Sequence, residues 1–409
     1  MSVRPGYVTI LRTILVLSLI SLCAACSSSE EGSGDGSSGE KLPTITAGDK
    51  GSGGDSTSSF ETTSEETSET ARESEGGATR VGATVLASNL EVPWSFAFLP
   101  NGDALVTERD SGRLLRVGAS GNVREIQTLP EQGVGEGGLL GVAVSPDYAR
   151  DRQVYAYYTT KRDNRVVRFR IGERPEPLLT GIPVNSYHDG GRIKFGPDGM
   201  LYVTTGDAGD TSNSQDRSSL GGKILRITPD GSIPDHNPFP NSPVYSYGHR
   251  NVQGLAWDAE GRLFASEFGQ DTFDEVNRIE PGGNYGWPEY EGDGGEEAEA
   301  DGFINPITTW PTDAASPSGA AIVVDGAIPQ WEGDLFVTAL NGERLWHLEL
   351  DENGNVAGRE PLLRGAVGRI RDVVQAPDGS LWISTSNRDG RGVPAPSDDR
   401  IIRLGPMES

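Results

Sequence analysis

Variants of the segment PDGMLYVTTGDAG, Pro197 to Gly209, recur along the chain and specify its fold. It joins a Pro-Asp-Gly turn to the run LYVTT, whose alternating side chains are typical of a β-strand. The Asp-Gly pair favours a tight hairpin turn. Each copy therefore indicates a turn that leads into a strand with a buried face.

Six copies of this pattern follow one another from residue 100 onwards. The residues at the equivalent turn positions are 46, 51, 62, 72 and 46 residues apart; they are Asn101, Asp147, Asp198, Glu260, Glu332 and Asp378. A period of roughly 40 to 50 residues with several short strands per unit is typical of propeller blades. The longer intervals indicate inserted loops.

The sequence therefore predicts an all-β fold, a six-bladed β-propeller of four-stranded antiparallel blades. Two stacked β-sandwiches are the alternative, which is less favoured because sandwiches do not repeat one motif at blade length. The segment from Ala83 to Leu90 is expected to pair with the final blade and close the ring. Because loops converge on the central channel of a propeller, we expect a ligand site at one face.

The N-terminus has the features of a targeting segment. Arg4 and Arg12 precede an apolar run, Ile14–Cys26, that is short for a transmembrane helix. Its end, with Ala24 and Ala25 before Cys26, resembles the lipobox of bacterial lipoproteins, in which the cysteine is lipidated. Residues 1–26 are therefore predicted to be a lipoprotein signal peptide that places the protein outside the cytoplasm, lipid-anchored to the bacterial cell membrane. The alternative is plain secretion with cleavage nearby.

Composition separates a tether from the folded domain. Residues 27–80 are rich in Ser, Gly and acids, with few apolar groups, and are predicted to be a disordered tether that precedes a propeller domain at 81–409. The 409-residue chain has 35 Lys and Arg against 60 Asp and Glu, a net charge of −25. Such a charge repels nucleic acid and anionic lipid, so we expect no nucleic-acid partner and membrane contact only through the lipid.

The segment HDGGR, His188 to Arg192, contains the first candidate catalytic residue. A neutral histidine such as His188 can accept a proton near neutral pH, and a carboxylate on its other ring nitrogen fixes the tautomer. Asp207 ends the next predicted strand, so a hairpin returning to the same end would bring it to His188. The alternative is a loop histidine that caps a turn.

Cations that could bind an anionic or quinone ligand occur in two further segments. Arg250 and Asn251 lie between two predicted strands, where a planar guanidinium and an amide can bind carboxylates or quinone oxygens. Arg369 and Arg371 are two residues apart, so they share one face of a strand. The alternatives are ion pairs with nearby acids, among them Asp372.

The segment from Ser266 to Trp287 gathers acids and glycines that suit calcium. Glu267, Asp271, Asp274 and Glu275 offer hard oxygen ligands, and glycines expose backbone carbonyl groups. The spacing is not that of an EF-hand. The alternative is an acidic surface loop.

Taken together, these segments resemble one enzyme family. GLLG with PDY, HDGGR, GHRNVQGL, DEVNRI with GGNYGWP, and RIRDV follow one another in the order found in soluble quinoprotein sugar dehydrogenases, the glucose/sorbosone dehydrogenase family in its aldose sugar dehydrogenase branch. The resemblance runs from about Leu90 to Leu404. It implies a six-bladed propeller that binds pyrroloquinoline quinone (PQQ) and Ca²⁺ and oxidises the C1 hydroxyl of aldose sugars to lactones. An unidentified electron acceptor would complete the cycle.

The resemblance also implies roles for individual residues. His188 would be the general base and Asp207 would orient it, while Arg250 would polarise the cofactor. The remaining implied groups are Asn251, Arg369 and Arg371 on PQQ, the backbone oxygens of Gly269 and Gln270 on the cofactor calcium, and Asp274, Glu275 and Tyr285 at a second, structural calcium.

The chain departs from the family pattern at positions near the cofactor. Asn341 stands where glucose-oxidising members have a Lys, and Glu136 stands where they have a Gln; Phe268 and Tyr187 replace a Gln and an Asp. These changes remove positive charge near a tricarboxylate cofactor. A non-catalytic propeller of the same family that binds carbohydrate or protein is therefore the alternative function. A calcium-dependent lactonase fits less well because no ring of metal-binding side chains is evident. The sequence leaves the oligomeric state open.

Overall fold

A computed structural model describes residues 42–48 and 78–407 of the chain. These residues form 25 strands, β1 to β25, with three short α-helices and one 3₁₀ helix. The strands build six antiparallel sheets, which we number as blades one to six. The predicted signal peptide, residues 1–26, lies outside the described residues. No helix in the described ranges is long and apolar enough to cross a membrane.

Each of the first five blades is a four-stranded meander in chain order. Blade one is β3 (Pro93–Phe98), β4 (Ala104–Glu108), β5 (Arg113–Val117) and β6 (Val123–Thr128), and blade two is β7 (Leu139–Val144), β8 (Val154–Thr159), β9 (Asn164–Phe169) and β10 (Glu176–Ile182). Blade three is β11 (Ile193–Phe195), β12 (Leu201–Thr204), β13 (Lys223–Ile227) and β14 (Val244–Tyr247). Blade four is β15 (Val252–Trp257), β16 (Leu263–Glu267), β17 (Phe273–Ile279) and β18 (Thr308–Pro311), and blade five is β19 (Pro317–Ile322), β20 (Leu335–Ala339), β21 (Arg344–Leu350) and β22 (Val356–Leu362).

Blade six joins the two ends of the described chain. Its strands β23 (Ile370–Gln375), β24 (Leu381–Thr385) and β25 (Ile401–Pro406) are followed in the sheet by β2 (Thr79–Ala87). The expected ring closure by the Ala83 segment is confirmed, because Ala83 pairs with Leu404 in an antiparallel ladder. The all-β, six-bladed prediction is confirmed as well.

The structure differs from the predicted tether at residues 45–47. Ile45–Ala47 forms strand β1, which pairs with β2 and adds a fifth strand to blade six. Ile45 and Ala47 are buried against Val81, so this short apolar stretch gains a hydrophobic contact that a disordered segment lacks. The other tether residues up to 77 lie outside the described residues, apart from Leu42 to Gly48.

The core lies between blades. Leu201 and Val203 of β12 are buried together with Leu225 of β13 and with Leu140 and Tyr155 of blade two. Burying one such side chain stabilises the fold by about 1.5 to 3 kcal/mol. The first strands of most neighbouring blades contact one another around the central channel, so side chains at their ends lie near it.

Loop positions follow from this topology. All six predicted turn positions lie between the first and second strands of a blade, which are at one face of the ring. The connections between blades and the loops between second and third strands are at the other face. The inserted loops carry the helices α1 (Tyr148–Asp151), α2 (Ser212–Gln215) and α3 (Gly295–Ala300) and the 3₁₀ helix (Pro329–Trp331).

Candidate active site

His188 and Asp207 form a hydrogen-bonded pair at the face of the ring that carries the connections between blades. Nδ1 of His188 is 2.7 Å from Oδ1 of Asp207, with 13% of the histidine side chain and 1% of the aspartate side chain exposed. His188 lies in the connection from β10 to β11, and Asp207 lies just after β12. The hairpin β11–β12 therefore brings the two residues together, as the sequence predicted. The engaged Nδ1 leaves Nε2 as the ring atom that can take up a proton.

Two further donors hold the Asp207 carboxylate. Nε1 of Trp287 donates to Oδ2 at 2.9 Å, and the backbone N–H of Gly209 donates to Oδ1 at 2.7 Å. Burial opposes ionisation, but the bonds from His188, Gly209 and Trp287 keep the pKa of Asp207 below its ordinary value. An ionised Asp207 fixes the proton of His188 on Nδ1.

The backbone at His188 is in the left-handed region, with φ of 60°. Its carbonyl accepts the N–H of Ala208 at 3.2 Å, and its N–H donates to Oε2 of Glu136 at 3.1 Å. Gly206 passes so close that a Cβ there would lie 1.9 Å from the His188 carbonyl oxygen. Tight packing on both sides therefore maintains a conformation that non-glycine residues rarely adopt.

Two adjoining cavities open at this face. The His188 cavity has a volume of about 440 Å³ and is lined by Glu136, Tyr187, His188, Asp207, Gly209, Thr211, Arg250, Gln270, Asp271 and Arg391. The arginine cavity has a volume of about 210 Å³ and is lined by Trp94, Arg109, Gly135, Glu136, Asp189, Gly190, Asn251, Gln253, Phe268, Leu340, Arg371, Asp389, Gly390 and Arg391. Glu136 and Arg391 line both cavities.

Arg250 faces the His188 cavity with spare hydrogen-bonding capacity. Its Nη1 donates to the Phe268 carbonyl at 3.3 Å, its guanidinium lies over the Trp287 ring, and its buried Nε has no partner among the described residues. Burial lowers the pKa of Arg250. The Glu267 carboxylate accepts the backbone N–H groups of Arg250 and Asn251, so it fixes this segment.

Arg369 and Arg371 share an acid, but it is not Asp372. Oδ2 of Asp389 lies 2.9 Å from Nη2 of Arg369 and 3.9 Å from Nη2 of Arg371. The expectation for Asp372 is wrong, because its carboxylate pairs with Arg192 at 2.8 Å inside the channel. Strand β23 has a register shift between Ile370 and Asp372, which changes the direction of its side chains.

The buried guanidinium of Arg371 has fewer hydrogen-bond partners than it has donors. Its Nη1 donates to Oε1 of Gln253 at 3.1 Å and to Oγ of Ser318 at 3.3 Å, while its buried Nε has no partner in the described ranges. Burial lowers the pKa of Arg371 to about 9. A desolvated guanidinium with an unused donor favours an anionic ligand in the arginine cavity.

Asn341 does not join the other predicted cofactor ligands. Its exposed side chain donates weakly to the Thr312 carbonyl, at 3.5 Å, and it lines neither cavity; its neighbour Leu340 does. Asn251 and Glu136, by contrast, line the arginine cavity. Leu340, next to the position where glucose-oxidising members have a Lys, therefore contributes an apolar side chain to the arginine cavity.

The predicted calcium residues divide into two groups. Gln270 lines the His188 cavity, and the N–H groups of the adjoining loop all converge on Oε1 of Glu291, at 2.6 to 3.2 Å. Because those N–H groups point to Glu291, the backbone carbonyls of Gly269 and Gln270 are free to bind a cation.

The second predicted calcium set is not assembled. Asp274 accepts N–H groups of Gly269 and Ser316, Glu275 bonds to Asn277 and Gly292, and the Tyr285 hydroxyl bonds to the backbone of Arg278 and Glu280. No group of three or more His, Cys, Asp or Glu that could hold a metal occurs within residues 42–48 and 78–407. The oxygens of these three side chains therefore already bond to protein groups.

Sequence reasoning missed several residues of the site. Trp94, Arg109, Asp389 and Arg391 line the arginine cavity, and Trp287 holds Asp207. A weak signal existed for Arg391, since SNRDGRGVPAPSDDR interrupts the final repeat with an inserted loop. Trp94 begins blade one without any polar signature.

Comparisons with known proteins agree with this geometry. The model of the glucose/sorbosone dehydrogenase family matches residues 90–401. The solved structure of the PQQ-bound aldose sugar dehydrogenase from Streptomyces coelicolor is 51% identical, with a TM-score of 0.73, and the match covers 80% of this chain and 98% of that chain. Quinoprotein glucose dehydrogenase B of Acinetobacter calcoaceticus is 30% identical, and the match covers 73% of this chain and 83% of that protein. Aldose sugar dehydrogenase YliI of Escherichia coli is 31% identical, and the match covers 76% of this chain and 91% of that protein. The family match extends over most of the propeller and includes both cavities, so the chain belongs to the glucose/sorbosone dehydrogenase family of oxidoreductases.

Proposed function

We propose that this protein oxidises the C1 hydroxyl of aldose sugars to lactones with PQQ as its cofactor. The observation that carries the proposal is the His188–Asp207 pair, which faces a cavity next to buried arginines with unused donors. The pair provides a base, and the arginines provide positive charge for an anionic cofactor.

The residues of the arginine cavity fit PQQ. PQQ is a flat tricarboxylate quinone. Arg371 lines the arginine cavity and Arg250 lines the adjoining His188 cavity, and each guanidinium has an Nε without a partner in the described ranges, so both favour an anionic ligand. Asn251 lines the same cavity as Arg371, and Arg369 is linked to Arg371 through Asp389. When bound, PQQ would supply the two-electron acceptor to which the C1 hydride is transferred.

His188 would accept the hydroxyl proton at Nε2. The O–H and C1–H bonds of the sugar break, a C1 carbonyl forms, and the proton ends on His188 while Asp207 stabilises the imidazolium. Arg250, which lies over Trp287, would stabilise negative charge that develops near the reacting carbon. The Tyr187 ring, in edge contact with the His188 ring at 4.6 Å between centroids, limits access from one side.

We propose Ca²⁺ at the backbone oxygens of Gly269 and Gln270. The loop geometry around Glu291 supports this, since it directs N–H groups away from these carbonyls. Carbonyl oxygens are ligands that calcium prefers. No second calcium is proposed at Asp274, Glu275 and Tyr285.

Reconstitution tests the function. Apoprotein is loaded with PQQ and Ca²⁺, desalted, and supplied with aldoses and a dye acceptor; we expect retained quinone absorbance, its change on adding sugar, and dye reduction. His188→Ala is expected to retain PQQ and to lose turnover. A wild-type protein that neither retains PQQ nor reduces dye would contradict the proposal. Carbohydrate binding without turnover would then favour the non-catalytic propeller.

We also propose that the protein is anchored outside the cytoplasm through Cys26. The support is the pattern of the N-terminal sequence, which lies outside the described residues. Metabolic labelling with a fatty acid is expected to mark the wild-type protein and not Cys26→Ala. Equal labelling of both proteins would contradict the anchor.

A further inference from the structure

Glu136 connects the two cavities through its two carboxylate oxygens. Oε1 is 2.9 Å from Nη2 of Arg391, and Oε2 accepts the backbone N–H of His188 at 3.1 Å. The residue lies in the connection from β6 to β7, whereas Arg391 lies in the loop between β24 and β25 of blade six. One carboxylate therefore links three loops from three parts of the ring.

The Glu136 loop is held firmly against the His188 segment. The backbone N–H of Glu136 donates to the Ser186 carbonyl at 2.9 Å. Gly135 packs so tightly there that a Cβ would lie 2.1 Å from the same carbonyl oxygen. Backbone and side chain of Glu136 thus both bind the residues that carry His188, whose φ of 60° needs such support.

Arg391 is anchored on the cofactor side. Its backbone N–H donates to Oδ1 of Asp389 at 2.9 Å, and the other oxygen of Asp389 binds Arg369. The start of this loop is fixed by Asn387, whose side chain donates to the Val367 carbonyl at 2.9 Å. A chain of contacts therefore runs from the cofactor arginines to the catalytic base.

Glu136 carries its charge in this arrangement. Burial opposes ionisation, but the N–H of His188 and the guanidinium of Arg391 hold the pKa of the Glu136 carboxyl below its ordinary value. Arg391 neutralises that charge at the border of the arginine cavity. The substitution of Glu for Gln at this position therefore adds no net negative charge beside the cofactor site.

We propose that Glu136 and Arg391 form a clasp, in which Glu136 is a positioning residue for His188 and Arg391 holds Glu136 in place. The proposal rests on the function given above. It assigns the clasp two effects: it maintains the His188 backbone in its left-handed conformation, and it cancels the Glu136 charge next to the site of an anionic cofactor.

The first effect is tested with Glu136→Ala and Glu136→Gln. Because a misplacement of about 1 Å can cost roughly 100-fold in rate, we expect Glu136→Ala to lower kcat about 10- to 100-fold with little change in PQQ affinity. Glu136→Gln keeps an acceptor for the His188 N–H and is expected to retain most of kcat. Arg150→Met is the control, since Arg150 forms an exposed surface pair with Asp147.

The second effect is tested with Arg391→Met. This variant leaves the Glu136 carboxylate unpaired at the cofactor site, so the Kd for PQQ is expected to rise about tenfold. Adding Glu136→Gln to Arg391→Met removes the charge again and is expected to restore the Kd to within about twofold of wild type. A double variant as weak as Arg391→Met alone would overturn this part.

A readout without cofactor separates the clasp from the proposed function. In apoprotein, the Nδ1 proton of His188, bonded to Asp207, is expected to give a low-field NMR resonance that His188→Gln identifies. We expect Glu136→Ala to shift or broaden it and Arg150→Met to leave it unchanged. An unchanged resonance together with an unchanged kcat in Glu136→Ala would overturn the clasp. Failure of the proposed function would instead appear as wild-type protein without turnover.

Discussion

The indole N–H of Trp287 donates to Oδ2 of Asp207 at 2.9 Å across 80 residues of sequence. Trp287 lies in the insertion after β17, which falls in the longest interval of the repeat. This insertion therefore supplies a hydrogen-bond donor to the candidate active site. With Gly209 and His188, Trp287 surrounds the Asp207 carboxylate with three donors. The carboxylate has no freedom to turn away from His188.

The three donors make Asp207→Asn an informative change. An asparagine has one acceptor oxygen, so its NH₂ group must face at least one donor, and the proton on Nδ1 of His188 is no longer fixed. We expect kcat to fall by roughly 100-fold while PQQ is retained. The control is Asp210→Asn, because Asp210 is an exposed acid that bonds to Ser212. Equal kcat for Asp207→Asn and wild type would show that Asp207 does not orient the base.

Arg371→Met separates cofactor binding from stability. The buried guanidinium is only partly compensated, so its removal is expected to leave the free energy of unfolding of apoprotein about equal or higher. The Kd for PQQ is expected to rise about 10- to 100-fold, measured by absorbance titration. Arg403→Met, which removes a surface pair with Asp378, is the control. A large loss of stability with unchanged PQQ affinity would assign Arg371 a structural role only.

Asp274 predicts a pH dependence of stability. Burial raises the pKa of Asp274 from 3.8 to about 7. The folded chain therefore binds more protons than the unfolded chain between these values, and the free energy of unfolding falls as pH rises through this window. Burial and the Glu267 carboxylate raise the pKa of Glu275 in the same direction.

Denaturant unfolding at a series of pH values measures this contribution. Asp274→Asn is expected to flatten the decline between about pH 4 and 7 relative to wild type. The exposed acid Glu289 provides the control, Glu289→Gln, which is expected to keep the wild-type slope. Parallel curves for Asp274→Asn and wild type would show that Asp274 does not hold its proton in the folded chain.

Ring closure predicts the effect of a core substitution in β2. Val81 is fully buried and pairs with Ile45 on one side and Pro406 on the other. Val81→Ala is expected to lower the free energy of unfolding by about 2 kcal/mol, since two buried methyl groups are lost. Arg80→Ala, at the exposed neighbouring position, is expected to change it little. Equal midpoints in denaturant for both variants would contradict the role of β2 in closing blade six.

Local sequence patterns predicted the strands, the turns and the contacts between residues that lie close together in sequence. The recurring turn-and-strand pattern identified six blades, and the His188–Asp207 pair followed from one hairpin of blade three. The Glu136–Arg391 and Trp287–Asp207 contacts join loops of different blades, and no periodicity specifies which loop reaches which cavity. Asn341 illustrates the same limit, since a motif position predicted a ligand but the exposed side chain bonds to Thr312 instead. Strand β1 was missed because its only apolar residues, Ile45 and Ala47, lie within a polar stretch.

The pairing of β2 with β25 imposes an order on biosynthesis. Strand β2 is made before blades one to five, whereas its partner strand, Ile401–Pro406, is made after them. Blades one to five can form as they emerge, but blade six, which contributes Arg369, Arg371 and Arg391, is complete only when both β2 and β25 are present. The arginine cavity is therefore completed only after residues 401–406 have been made.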